Sequence, residues 1–155
     1  MIKLTMIKKI SIKTALGWIS AFENNGRIFK IKFGKIKKQN SSKTINRFKK
    51  NLLKFFDKKI KKINYRYQIK GSKIQKKVWL ELKKIKIGKT KSYGDIAKKY
   101  KISPRQVGKI CGQNKLLLVI PCHRVIRSDG SLGGFSSIGG INLKKILLKM
   151  EHVWK

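Results

Sequence analysis

The string Pro121-Cys122-His123-Arg124-Val125 sets a thiol beside an imidazole, on a backbone whose approach is locked by proline. A cysteine with a nearby base is a candidate for nucleophilic chemistry, because the thiolate is the reactive form and the base raises its fraction. The neighbour pair alone does not establish a site, since a cysteine is by default a small apolar core residue. Further residues accompany it in a fixed order: Tyr93, Arg105, Asn114, Gly133-Gly134-Phe135-Ser136 and Glu151. The paired glycines permit a backbone conformation or a close ligand approach that side chains would forbid.

Positioning these groups falls to a helical region that begins at Gly71-Ser72, a turn and helix start. Residues 72–86 carry Ile74, Val78, Leu82 and Ile85 as one apolar stripe, with Trp79 as core rather than ligand. Ser92 and Asp95 can cap a helix through Tyr100, and Ser103-Pro104 begins another that carries Val107, Ile110 and Cys111. Joined at Lys101-Ile102, the two fit a helix-turn-helix whose second helix bears Arg105 and Lys109. The apolar run Leu116-Leu117-Leu118-Val119-Ile120 predicts a buried strand or extended segment that delivers Pro121-Cys122-His123 to a fixed place. Beyond it, Ser128-Asp129-Gly130-Ser131 is a turn, and a last helix runs from Ile141 to about His152.

The first seventy residues have another character. Trp18, Ile19 and Phe22 precede Glu23-Asn24-Asn25-Gly26, and Ile28, Ile31 and Phe33 follow it, a β-hairpin within residues 14–35. Across residues 44–57, Ile45, Phe48, Leu52, Phe55 and Phe56 recur at three- and four-residue spacing on one helical face. Residues 58–70 form a basic connector with some strand character. The fold class is α+β, with a small α/β domain over residues 1–70 and a mainly helical domain over residues 71–155.

Lys and Arg number 41 against 6 Asp and Glu, a formal net charge of +35. Such a field attracts any polyanion and makes nucleic acid the leading partner. Inflation of Lys, Ile and Asn by AT-rich coding would also produce it, so charge names no reaction. Cys111 and Cys122 are too few for a secreted disulfide framework, and no Cys/His quartet marks structural zinc. A reduced, intracellular protein is expected. Lysine interrupts residues 1–10 too often for a signal peptide, and no stretch reaches membrane-spanning length. A basic organelle presequence is disfavoured by the scarcity of Arg and Ser there.

From about Gly71 to Glu151 the chain resembles the catalytic domain of O6-alkylguanine-DNA alkyltransferases. The resemblance is carried by Ile120-Pro121-Cys122-His123-Arg124-Val125-Ile126, by Arg105-Gln106-Val107-Gly108 through Asn114, and by Ser128-Asp129-Gly130-Ser131-Leu132-Gly133-Gly134-Phe135. It implies direct, irreversible, stoichiometric transfer of an alkyl group to Cys122 from O6-alkylguanine, and from O4-alkylthymine, in double-stranded DNA. Displacement at saturated carbon needs a soft, strong nucleophile, which suits a thiolate. The resemblance further implies that Glu151 and His123 deprotonate Cys122 through a water. Asn114 would brace the turn around Cys122, and Tyr93 would give the departing guanine a proton or hydrogen bond. The target base must leave the duplex for a pocket. Arg105 would fill the gap from a helix that enters the minor groove, with Ser103, Gln106, Lys109 and Tyr93 as the other DNA contacts. Main-chain groups around Cys122, Val125, Gly134, Phe135 and Ser136 would hold the guanine. Arg124 is implied to be structural, pairing within the interdomain region. The implied architecture is a ribonuclease-H-like first domain and a winged-helix-like second one.

The chain departs from the family pattern at Lys115, where proline is usual, at Ile110, where a small residue is usual, and at Phe135, usually tyrosine. Two extra residues after Phe135 leave Ser136 and Ser137 as alternatives for the loop contact. No cofactor, no metal, no membrane and no obligate protein partner is expected, and the protein is expected to be a cytoplasmic, nucleoid-associated monomer, or nuclear in a eukaryote. Two other readings compete. An alkyltransferase-like damage sensor would flip the base without repairing it, but such proteins replace the cysteine retained here. A plain helix-turn-helix regulator leaves the Pro-Cys-His-Arg string unexplained.

Overall fold

In the computed structural model, which describes residues 6–135 and 139–152, the chain forms two units, Met1–Ile69 and Lys70–Lys155. In the first, β1 (Lys8–Thr14), β2 (Gly17–Asn24) and β3 (Arg27–Phe33) make an antiparallel sheet in that order. β2 and β3 are the expected hairpin, joined by the two-residue loop Asn25-Gly26. The sequence predicts no strand at β1, whose Ile10 and Ile12 alternate with Lys9, Ser11 and Lys13 over too short a span to stand out. One sheet face buries Ile10, Ile12, Ile19, Ala21, Ile31 and Phe33. Over it α1 (Lys43–Phe56) lays Ile45, Phe48, Leu52 and Phe55.

Glu23 ties the hairpin to the helix start. Its Oε1 accepts from Gly26 N at 2.6 Å, and its Oε2 accepts at 2.7 Å from the hydroxyl of Ser42, the α1 N-cap. The basic connector then runs beside β3, where Ile28 N donates to Arg66 O and Gln68 N donates to Ile28 O, which is its strand character.

The second unit is built from capped helices. α2 (Lys73–Leu82) opens on a reciprocal capping box between Ser72 and Gln75. Its Trp79 is core, with Nε1 donating to Ile110 O at 3.0 Å. β4 (Lys91–Ser92) leads into α3 (Tyr93–Tyr100), capped by Ser92 and Asp95. α4 (Pro104–Gly112) follows, capped by Ser103. Buried Glu81 locks α2 to α3 by accepting from Lys99, Lys91, Lys84 and Tyr100, and these bonds, Lys99 foremost, hold its carboxyl far below the usual range. β5 (Val125–Ile126) pairs parallel with β4, and α5 (Gly140–Met150) closes the unit.

Residues 116–120 are buried as expected but are not extended. Ile120 N donates to Leu116 O at 2.9 Å and Leu118 has φ 72°, so the run is a turn. Asn114 is the cause: its Oδ1 accepts from Leu116 N at 2.9 Å and its Nδ2 donates to Ile120 O at 2.8 Å, drawing the two ends together. A turn buried on all sides gives the same unbroken apolar run as a buried strand.

Candidate active site

Cys122 opens a short 3-10 turn, Cys122–Arg124, which leads into β5. The Asn114 amide that closes the preceding turn also donates to Cys122 Sγ at 3.3 Å, so one side chain fixes both the backbone and the sulfur. Burial pushes the Cys122 thiol up, against the pull of the Asn114 hydrogen bond and the Lys144 charge. The resting group is therefore a thiol that needs a base. Cys122 lines a cavity of about 750 Å³ together with Tyr93, Arg105, Cys111, Gly133 and Phe135.

His123 and Glu151 do not line this cavity and are buried, His123 to 1% exposure. His123 Nε2 lies 2.9 Å from Glu151 Oε1. The same carboxylate takes Arg124 Nε at 2.9 Å and Nη2 at 2.7 Å, and Arg124 Nη1 donates to Ile85 O at 2.7 Å. Burial pushes Glu151 up, but the hydrogen bonds from His123 and Arg124 outweigh it and hold the acid at about 2. Burial pushes His123 down, against the pull of Glu151. A neutral ring with its Nε2–H on the carboxylate keeps Nδ1 as a base. Arg124 is structural, as the resemblance implies, yet Ile85 and Glu151 both lie inside the second unit, so the pairing is not an interdomain one.

A residue absent from the sequence-based candidates completes the site. Lys144 of α5 is 0% exposed and directs its three donors to Val125 O at 2.5 Å, Tyr93 Oη at 3.2 Å and Gly134 O at 3.4 Å. Burial lowers it to about 8, while Cys122 and Cys111, when ionised, act to raise it. Burial also pushes the Tyr93 phenol up to about 12. An ammonium can only donate, so Tyr93 Oη accepts from Lys144 and keeps its own O–H for another partner. Gly133, at φ 70°, is required at this spot, because a Cβ there would lie 2.9 Å from the Tyr93 ring. The signal for Lys144 was its place on the α5 stripe of Leu143, Leu147, Leu148 and Glu151.

Ser103, Arg105, Gln106 and Lys109 are exposed on the start and face of α4, and of these Arg105 lines the cavity. Gly134 and Phe135 also line it. Val125 does not, and its carbonyl accepts from Lys144. Ser136 lies outside the described residues, as does Ser137. Among the described residues no three His, Cys, Asp or Glu side chains are grouped to hold a metal ion.

The chain is a mixed α/β protein, with a small antiparallel sheet and a helical unit that offers a thiol to a cavity and carries an imidazole–carboxylate pair at the next residue, the groups that a cysteine nucleophile requires. Residues 73–153 match the family described as 6-O-methylguanine DNA methyltransferase, DNA binding domain, and the chain belongs to that family. The methylated-DNA–protein-cysteine methyltransferase of Methanocaldococcus vulcanius is 53% identical over 89 residues, which are 57% of this chain and 53% of that protein. The chain spans about half the length of the curated relatives it matches. The crystal structure of Mycobacterium tuberculosis O6-methylguanine methyltransferase superposes with a TM-score of 0.82 at 26% identity, over 94% of this chain and 93% of that one. A structure of the M. tuberculosis protein in complex with DNA gives 0.78 at 25% identity, over 93% and 92%.

Proposed function

We propose that this protein repairs DNA by moving an alkyl group from O6-alkylguanine, and from O4-alkylthymine, in double-stranded DNA to Cys122, once and irreversibly. The observation that carries the reading is the cavity-lining thiol, held by Asn114 at 3.3 Å and adjoined in sequence by an imidazole bonded to a carboxylate. The names of the similar proteins, which specify methylated DNA and a protein cysteine, point to the same substrate.

In this reading the Cys122 proton passes through a water to His123 Nδ1, and Glu151 stabilises the imidazolium that forms. The sulfur then attacks the alkyl carbon, a C–S bond forms, and the C–O6 bond breaks with its electron pair leaving on guanine. Tyr93 donates its O–H toward the departing base and can be reprotonated by Lys144. The product is a thioether, which the same groups cannot reverse, so each molecule acts once.

Residues 71–155 would be the catalytic, DNA-binding domain, winged-helix-like, with Arg105 filling the gap left by the extruded base and Ser103, Gln106 and Lys109 on the backbone beside it. The α3–α4 pair and the short β4–β5 ladder support that architecture. Residues 1–70 would be the ribonuclease-H-like companion, a reading supported by one helix packed on an antiparallel sheet. Incubation with duplex DNA carrying radiolabelled O6-methylguanine tests the proposal. Label should move to the protein, level off near one equivalent as single-site alkylation requires, and remain on the Cys122 peptide. Repeated turnover, or DNA that keeps its label, would refute it.

A further inference from the structure

Arg127 has no part in that chemistry, yet it is a strong cation on the cavity wall. It follows β5 directly, on the backbone that also carries Cys122, and a hydrogen-bonded turn fixes its position: Arg127 N donates to Ser131 O at 2.8 Å and Gly130 N donates to Arg127 O at 3.0 Å. The side chain lines the cavity with Cys122, Tyr93 and Gly94. The residue is exposed, and its guanidinium makes no hydrogen bond or ion pair with any described residue. Asp129, two positions on, directs Oδ1 to Ser131 N at 2.9 Å and Oγ at 2.7 Å instead.

The neighbouring backbone adds to the positive potential. Tyr93 and Gly94 form the first turn of α3, where the helix presents the positive end of its dipole. The turn after Arg127 packs tightly on that helix start, since a Cβ on Gly94 would lie 3.0 Å from Ser128 Oγ. The charge of Arg127 also reaches inward, where it acts to lower both Tyr93 and Lys144. An alkylated guanine offers such a cation only neutral acceptors such as N7, without a charge to match. A nucleotide drawn out of a strand arrives with a phosphodiester on each side, and a planar guanidinium fork matches phosphate oxygens in geometry and charge.

We infer that Arg127 clamps a phosphodiester flanking the extruded nucleotide, so that the cavity prefers an alkylated guanine held in a strand to the same base free in solution. The inference rests on reading the cavity as the pocket for the damaged base. It separates Arg127 from Arg105, whose proposed work of filling a duplex gap is absent on a single strand.

The test measures the second-order rate of Cys122 alkylation by free O6-methylguanine, its deoxynucleoside, a single-stranded oligonucleotide and a duplex. For Arg127→Ala the ratio of oligonucleotide to free-base rate should fall about tenfold on both single and double strands, as loss of one charge-assisted contact implies, and Arg127→Lys should restore part of it. The decisive arm replaces one flanking linkage with a neutral methylphosphonate. At the 5′ or the 3′ linkage this should slow the unaltered protein while leaving Arg127→Ala at its already reduced rate. The inference is overturned if Arg127→Ala slows free base and oligonucleotides alike, or if each methylphosphonate slows both proteins equally. An unaltered protein that accepts no alkyl group from any of the four substrates would instead remove the repair reading itself.

Discussion

Lys144 is expected to set the upper pH limit of the proposed transfer. Burial lowers it to about 8, with Cys122 and Cys111 opposing, so below that pH it is charged, donates to Tyr93 Oη and leaves the phenol O–H to the substrate. Above it the ammonium is lost, and with it the proton that would replenish Tyr93. Transfer to Cys122 is therefore expected to fall as pH rises through about 8. Lys144→Met should be slow and should lack that alkaline limb, whereas Lys144→Arg should keep activity at higher pH. A rate profile for Lys144→Met with the limb intact would assign it to another group. The second thiol of the cavity differs in kind. Burial pushes Cys111 up to about 12, and among the described residues it has no partner like the His123–Glu151 pair. Cys111→Ser should retain transfer, while Cys122→Ser should lose transfer and still bind DNA. Peptide mapping that found label on Cys111 alone would mean that the acceptor had been misassigned.

Between elements, a single carboxylate joins α5 to the cysteine turn. Glu151 receives His123 and two nitrogens of Arg124, and Arg124 reaches on to the backbone just beyond α2. Arg124→Ala would strand a buried carboxylate and should cost about 3–5 kcal/mol in denaturant unfolding at neutral pH. Glu151→Gln should also destabilise and should slow alkylation of Cys122. The acid dependence has a definite sign. Glu151 sits at about 2 when folded against 4.5 for a free carboxyl, so its contribution is complete above 4.5 and is lost as pH falls toward 2. The stability gap between the unaltered protein and Glu151→Gln should narrow across that window, and a gap independent of pH would contradict it. At this scale the sequence was readable where a side chain announces a backbone state. Ser72, Ser92 and Ser103 all mark helix starts. It was unreadable where burial imitates another element, as in the Asn114-closed turn, whose apolar run matches a buried strand or extended segment equally well. Lys144 was hidden because one lysine among many looks like surface. The Cys122 neighbourhood was legible as a string of residues, but the fold-back of α5 that brings Glu151 to His123 came only through the family resemblance.

For the whole molecule, 41 basic residues stand against 6 acidic ones, and half of the acids are not at the surface. Glu23, Glu81 and Glu151 are buried and bonded internally, and the first unit has no acid besides Glu23 except Asp57. Little negative charge is left to oppose the lysines, whatever part coding bias played in placing them. Binding to undamaged duplex should therefore depend little on sequence and steeply on salt, with affinity falling by ~10³ or more between about 50 and 200 mM if roughly six phosphates are contacted. A salt-insensitive footprint confined to one sequence would favour a regulator instead. Charge of this kind draws a protein to DNA but does not open the duplex, which is the role proposed for Arg105 on the exposed start of α4. Replacing it should leave the salt slope nearly intact, since one phosphate contact changes the slope by only about 1. Extruding a base and filling its place are needed for a duplex alone. Arg105→Ala should accordingly slow repair of duplex DNA far more than alkylation by a free guanine analogue or repair of a single strand. Equal losses on all three substrates would remove Arg105 from the extrusion step and leave it as one cation among many.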